Sequence, residues 1–225
     1  MGEVKRIKIV RDQVYQILRD EICSGKYPPG SWLQESELSE HLGVSRSPVR
    51  ESLRRLVADG LMVEIPNKGV FVKEFTQRDI DEIFDMRVML ESYAIRKSRS
   101  RMTSARLEKL VDLLGKLERT HLAGDLATYT CTDEALHNRI VELSDNSLVI
   151  STYDRVRSMN QQFRVLSLSS RKRFDESLEE HRKLVHLLTV ADVEAACEVN
   201  THHLELACQC IKAHLSELPR NENMG

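Results

Sequence analysis

The apolar positions of the first 75 residues fall into three helical stripes followed by a hairpin. Val14, Ile17, Leu18 and Ile22 recur at helical spacing, and Gly25 with Pro28, Pro29 and Gly30 stops that helix. The spacing predicts a second, short helix over residues 36–42, closed by Gly43, and a third over 46–58, closed by Asp59 and Gly60. Two short apolar runs, 61–65 and 70–73, flank Pro66, Asn67, Lys68 and Gly69, which reads as a hairpin with a polar tip. Helix, helix, helix, hairpin is the order of a winged helix-turn-helix.

Beyond Phe75 the helical period takes over and strand signals almost vanish. Thr76 with Asp79 predicts a capped start for a helix carrying Ile80, Ile83, Leu90 and Ala94 on one stripe. Thr103 opens the next, with Leu107, Leu110, Val111, Leu114 and Leu117 on its stripe. Gly124 and Asp125 start another that runs to 143, and Asp145 and Asn146 one that runs to about 166. Residues 167–173 read as a loop, and helices over about 175–189 and 192–217 complete the pattern, the last capped by Asp192. The fold class expected is mostly α: a winged helix-turn-helix over 1–75, with three helices and a β-hairpin wing, then an all-α helical bundle over 76–225.

Composition adds boundaries rather than a function. A hydrophobic share of 41% with 30% charged residues describes an ordinary globular chain, and no stretch approaches the ~20 apolar residues of a membrane span. The first residues lack the apolar run of a signal peptide, and the five cysteines show no CxxC spacing. The expectation is therefore a cytoplasmic protein with reduced thiols and no membrane partner. A net charge of -2 carries no global nucleic-acid signature, so the charge that matters is local. Arg46, Arg50, Arg54 and Arg55 crowd one short helix, opposed within it only by Glu51.

In the segment 35–57, Ser39 lets two helices approach, Gly43 turns between them, and Val49, Leu53, Leu56 and Val57 form the buried stripe of the second. Arg46, Arg50 and Arg54 fall at i, i+4 and i+8 on its opposite side, with Ser45 and Ser47 at its N-terminal end. A recognition helix needs this division, because its first residues reach base edges and its arginines meet phosphates. Arginine-rich helix faces are commonly only solvated, but here the turn glycine, the buried anchors and the following hairpin agree. The partner expected is double-stranded DNA.

The helical part holds a second set. Asp133 and His137 are spaced i, i+4 on a face shared with Tyr129, Leu136, Ile140 and Leu143. His181 shares a stripe with Leu178, Val185 and Leu188, and His203 one with Ala196, Val199 and Ala207. On spacing alone, these four read equally as hydrogen-bonded core residues or as ligands of one divalent metal. Arg87 interrupts the stripe of its helix, and a buried guanidinium needs an anion. That anion is either a structural carboxylate such as Glu91 or Asp133, or a bound organic acid. Asn160 and Arg164 are further candidates to line the same cavity.

Two resemblances sharpen this. The run I22-x-x-G25-x-Y27-P28-P29-G30-x-x-L33, then E37-L38-x-x-x-L42-G43-V44-S45-R46-S47-P48-V49-R50-E51-S52-L53-x-x-L56, G60-L61 and P66-N67-K68-G69-V70-x-V72, resembles the GntR family of transcription regulators. The resemblance implies groove and phosphate contacts at Ser45, Arg46, Ser47 and Arg50, and a wing tip, Lys68 and Gly69, in the adjacent minor groove. Ser36 stands where some relatives place a phosphate-contacting arginine, so no contact is assigned to it. Residues 76–215 are similar to the FCD effector domain of the FadR-like branch, through R87-x-x-L90-E91-x-x-A94, D133-x-x-x-H137-x-x-I140, S177-L178-x-E180-H181-x-x-L184 and D192-x-x-x-A196 with H203-L204. That similarity implies one divalent metal per chain on Asp133, His137, His181 and His203, with zinc placed ahead of nickel, manganese and iron. It also selects His203 over its neighbour His202.

The resulting expectation is a regulator, acting as a repressor, that binds a palindromic operator as a homodimer. A small organic-acid effector controls it. Dimerisation is expected because one short helix reads too few bases for specificity. The rival readings are a metal-dependent enzyme with a DNA-binding appendage and an architectural DNA-binding protein. The enzyme lacks an obvious nucleophile or general base beside the ligands.

Overall fold

The computed structural model describes residues 10–161, 163–168 and 170–217, and divides into two compact units, Met1–Phe75 and Thr76–Gly225. In the first, α1 (Val10–Cys23) buries Val14, Tyr15, Leu18 and Ile22. Tyr15 thus takes the place expected of Ile17, which is exposed. Helix α2 (Glu35–Leu42) starts one residue earlier than its pattern predicts and ends on Gly43 in the left-handed region, at φ 63°. Helix α3 (Arg46–Ala58) packs on α1, α2 and the strand Met62–Ile65, and buries Val49, Ser52, Leu53 and Leu56. Leu18 and Leu56, both fully buried, each contribute about 1.5–3 kcal/mol through the apolar surface they remove from water.

Strands β1 (Met62–Ile65) and β2 (Gly69–Val72) pair antiparallel, with Met62 opposite Val72 and Ile65 opposite Gly69. The segment before α2 adds a single bridge, Trp32 to Phe71. Gly69 is required there on two counts. Its φ of 107° disfavours a side chain, and a Cβ at that position would sit 2.6 Å from Trp32 Nε1.

Tyr15 ties α1 to the end of α3. Its hydroxyl donates to Asp59 Oδ2 at 2.7 Å and its ring carries the Arg55 guanidinium at 3.9 Å. Burial, reinforced by the Asp59 carboxylate, pushes the phenol from 10.0 up to about 12. A raised value favours the neutral phenol in the folded state, so this contribution is complete below pH 10 and is lost as pH rises through 12. Tyr15→Phe is expected to cost about 1 kcal/mol at pH 8 by urea unfolding. The gap between variant and wild type should shrink above pH 10, and a gap independent of pH would contradict the linkage.

Among the described residues of the second unit the regular elements are all helical: α4 (Gln77–Ser98), α5 (Ser104–Leu122), α6 (Leu126–Glu142), α7 (Ser147–Gln161), α8 (Arg171–Thr189) and α9 (Val193–Glu217). The Thr76/Asp79 capping box forms, and Thr103, Asp125 and Ser170 cap α5, α6 and α8 through their side chains. Two boundaries depart from the sequence pattern. Helix α7 ends at Gln161 rather than near 166, followed by a 3-10 turn at Leu166–Leu168. Helix α8 begins at Arg171, inside the expected loop, because Ser170 supplies a cap that the polar composition concealed. Val111, expected on an inward stripe, is exposed, while Leu110 and Leu117 are fully buried. Helix α4 packs on α6, α7 and α9, and α8 packs on α5 and α9, so the inward faces of α4, α6, α8 and α9 meet. Among the described residues no helix is long and apolar enough to cross a membrane.

Candidate DNA interface and candidate metal centre

Helix α3 buries one face and exposes the other. Ser45, Arg46, Ser47, Arg50 and Arg54 are all exposed, as is Lys68 at the wing tip, next to half-buried Gly69. Arg55 does not belong with them, since it turns back onto Asp12 and Tyr15 of α1. Composition also missed one acid. Glu35, at the start of α2, receives Arg50 in a two-point pair, Nε to Oε1 at 2.9 Å and Nη2 to Oε2 at 2.8 Å. That hydrogen bonding, helped by the fields of Arg50, Arg54 and Arg46, holds the Glu35 carboxyl below its ordinary value. The pair fixes the guanidinium through its Nε–Nη2 edge and leaves the Nη1–Nη2 end pointing elsewhere.

In the helical unit, the structure brings all four candidate ligands together. Asp133 and His137 come from α6, His181 from α8 and His203 from α9. All are buried, and one ligand atom from each lies within 4.8 Å of the others. His181 Nε2 is 3.0 Å from Asp133 Oδ1, His137 Nε2 is 3.6 Å from the same oxygen, and the two Nε2 atoms are 3.4 Å apart. The His203 ring lies 4.6 Å from that of His181 and 5.2 Å from that of His137, centroid to centroid.

The outward nitrogens are each held by a partner. His137 Nδ1 meets Glu91 Oε2 at 2.9 Å, His203 Nδ1 meets Glu180 Oε2 at 2.7 Å, and His181 Nδ1 meets the Tyr129 hydroxyl at 3.4 Å. Each carboxylate accepts a hydrogen bond from the Nδ1–H of its imidazole, so the Nε2 lone pairs of His137 and His203 turn inward. Three imidazoles and a carboxylate thus bring one ligand atom each within 4.8 Å of the others, an arrangement that a divalent cation with bonds of ~2.0–2.2 Å satisfies. The donor set fits a metal.

Without a cation the cluster carries opposed titrations. Burial lowers the His137 value, but Glu91 and Asp133 outweigh it and the net shift is upward. Burial and the neighbouring imidazoles push His203 down to about 3, against the pull of Glu180. Burial raises Asp133, yet His137, His181 and Arg164 hold it well below the carboxylate range.

Around the centre lies a shell of buried charge. Glu91, fully buried on α4, receives Arg87 Nε at 3.1 Å, the Tyr153 hydroxyl at 2.9 Å, Asn200 Nδ2 at 3.0 Å and His137. Glu91 is thus the carboxylate that Arg87 pairs with in this structure. Arg164 contacts Asp133 Oδ2 from the turn beyond α7, not from the helix itself as its sequence position suggested. Arg173 pairs with Glu180 through both terminal nitrogens, at 3.0 and 2.8 Å. Asn160 is buried with its Oδ1 unpartnered. Glu91 was visible in the sequence as the i+4 neighbour of Arg87, and Glu180 as the neighbour of His181. Tyr153, Asn200 and Arg173 carried no such mark.

A three-helix unit with a wing, an exposed arginine face and a separate helical unit around a polar centre define a helix-turn-helix DNA-binding regulator. Comparison with known proteins agrees. Residues 10–72 match the model of the bacterial regulatory proteins, gntR family, and residues 82–206 that of the FCD domain. The chain is 29% identical over 213 residues to the uncharacterized HTH-type transcriptional regulator YdhC of Bacillus subtilis, covering 93% of this chain and 94% of that one. It is 24% identical over 203 residues to the HTH-type transcriptional repressor RspR of Escherichia coli, covering 90% and 89%. The solved structure of E. coli McbR/YncC superposes with a TM-score of 0.79 at 23% identity, over 93% of this chain and 100% of that one. The chain belongs to the gntR family of bacterial regulatory proteins, in the group that carries an FCD domain. It is a DNA-binding transcriptional regulator, which sets aside the metal-dependent enzyme.

Proposed function

We propose that the protein is a repressor that binds an inverted-repeat operator as a homodimer and is released or retained by a small organic acid sensed beside a metal. The observation that carries the sensing half is the convergence of Asp133, His137, His181 and His203, with the outer nitrogens of His137 and His203 held by buried or partly buried carboxylates. Those four residues would hold one divalent cation, zinc first among the candidates, which when bound supplies electrostatic attraction for an effector carboxylate. Arg87, Asn160 and Arg164 border the same crevice and would orient the acid. Helix α4 carries Arg87 and begins at Gln77, just after the boundary between units, so a pull on Arg87 acts along one rigid helix of about 15 Å to that boundary. An effector that favours one arrangement of the two operator-binding units shifts the population toward it. The name of RspR supports the repressor assignment.

For the DNA half, Ser45, Arg46, Ser47, Arg50 and Arg54 enter the major groove, and Lys68 with Gly69 approaches the minor groove. Glu35 makes Arg50 a base reader, because it takes one edge of the guanidinium and leaves the end-on edge for guanine O6 and N7. Duplexes selected by the full chain from a random pool are expected to contain an inverted repeat. Arg50→Ala should lose about 1–3 kcal/mol on the selected duplex with an unchanged salt slope, whereas Arg54→Ala should reduce that slope by about 1. Failure to enrich any sequence would overturn the operator reading. A drop in salt slope for Arg50→Ala would instead make Arg50 a phosphate contact.

A further inference from the structure

The crevice beside the ligand cluster holds more unused donors than a single carboxylate can occupy. It is lined by Arg87, Arg164, Arg173, Asn160, Asp133 and His203, with apolar residues between the charged ones. The three arginines come from different segments, α4, the turn after α7 and α8, and each is at least nine-tenths buried. Each keeps at least one nitrogen without an acceptor: Arg87 Nη2, Arg164 Nε and Nη2, and Arg173 Nε. Arg87 Nη2 does lie 3.0 Å from Glu91 Oε1, but off the hydrogen-bond direction, so its protons are not satisfied there. A buried, unsatisfied charged donor is costly, and three converging on one crevice point to a ligand that repays them.

Charge gives the same answer independently. Arg87, Arg164 and Arg173 are matched one for one by Glu91, Asp133 and Glu180. The protein part of the centre is therefore neutral, and a divalent cation on neutral imidazoles leaves two positive charges in a dry interior. We infer that the effector is a dianion, a short aliphatic dicarboxylate that places one carboxylate toward the Asp133/His cluster and the other among the Arg164 and Arg173 donors. Its methylene spine lies against Phe84, Leu168, Ala207 and Ile211, which line the same crevice. In the structure the crevice has room for about one water, so the acid must move side chains to enter, and arginines with unsatisfied nitrogens are the ones that gain by moving.

This inference rests on the metal and organic-acid reading above, and its test separates the two. Metal-loaded full-length protein is titrated calorimetrically with matched pairs of equal carbon number, butyrate against succinate and propionate against malonate. At least one dicarboxylate is expected to bind ten-fold or more tightly than its monoacid partner. In Arg173→Gln protein shown to retain its metal, that preference should fall to within two-fold. Monoacids that match or exceed their partners would overturn the dianion while the organic-acid reading stands. If neither kind of acid binds protein shown to contain metal, the organic-acid reading falls with it. The comparison of acids on the wild type needs no variant, so it stands even if Arg173→Gln fails to fold.

Discussion

The double variant His137→Ala/His181→Ala is expected to lose metal and effector response together while the winged helix still binds DNA. Wild-type protein should contain about one divalent ion per chain by elemental analysis. Its removal should be felt as stability, because the ligands come from α6, α8 and α9 and a cation crosslinks all three. At free metal near 1,000 times the dissociation constant, linkage supplies about 4 kcal/mol, or a fall in Tm of about 8–16 °C on chelation for a unit of this size. Metal binding should also weaken on acidification, since the ion must displace the proton that Glu91 and Asp133 hold on His137. The DNA face of α3 belongs to the other compact unit, so gel-shift affinity without effector should survive in the double variant. A wild type with no metal, whose Tm a strong chelator leaves unmoved, would reduce the four residues to a hydrogen-bonded core.

Much of this was legible in the chain because two periodicities dominate it. The stripe Val49, Leu53, Leu56 leaves only one side of α3 for Arg46, Arg50 and Arg54, so their exposure followed from helical spacing. The i, i+4 spacing of Asp133 and His137 placed both on one face of α6, and the structure adds only that the other helices meet it. What stayed hidden depends on contacts far apart in sequence. Asn200 reaches Glu91 across 109 residues and Tyr153 across 62, and neither residue breaks the pattern of its own helix. Arg173 was lost for a different reason, in that a polar stretch reads as loop until Ser170 is seen to cap a helix through it. Glu35 was missed as the partner of Arg50 because a turn separates their helices, and charge counted within one helix does not see across it.

Glu91 is the buried group whose loss should cost most. It has no exposure, and it accepts from Arg87, Tyr153, Asn200 and His137, which belong to four different helices. Burial alone would raise its carboxyl, but His137 and Arg87 overcome that and hold it ionised. Glu91→Ala therefore leaves a buried guanidinium without its counter-charge and three donors without an acceptor, and should destabilise the chain by about 3–5 kcal/mol. For a protein with a total of roughly 5–15 kcal/mol, that is a large fraction, and some loss of soluble protein is expected. Glu91→Gln keeps the shape and an acceptor oxygen, so it isolates the charge. It should fold, yet bind metal about 10–100-fold more weakly, since His137 loses the anion that orients its ring and raises its basicity. Metal titrations of the two proteins under one buffer decide the matter. Equal metal affinity in Glu91→Gln and wild type would leave Glu91 a packing and ion-pair residue, with no part in setting the His137 lone pair.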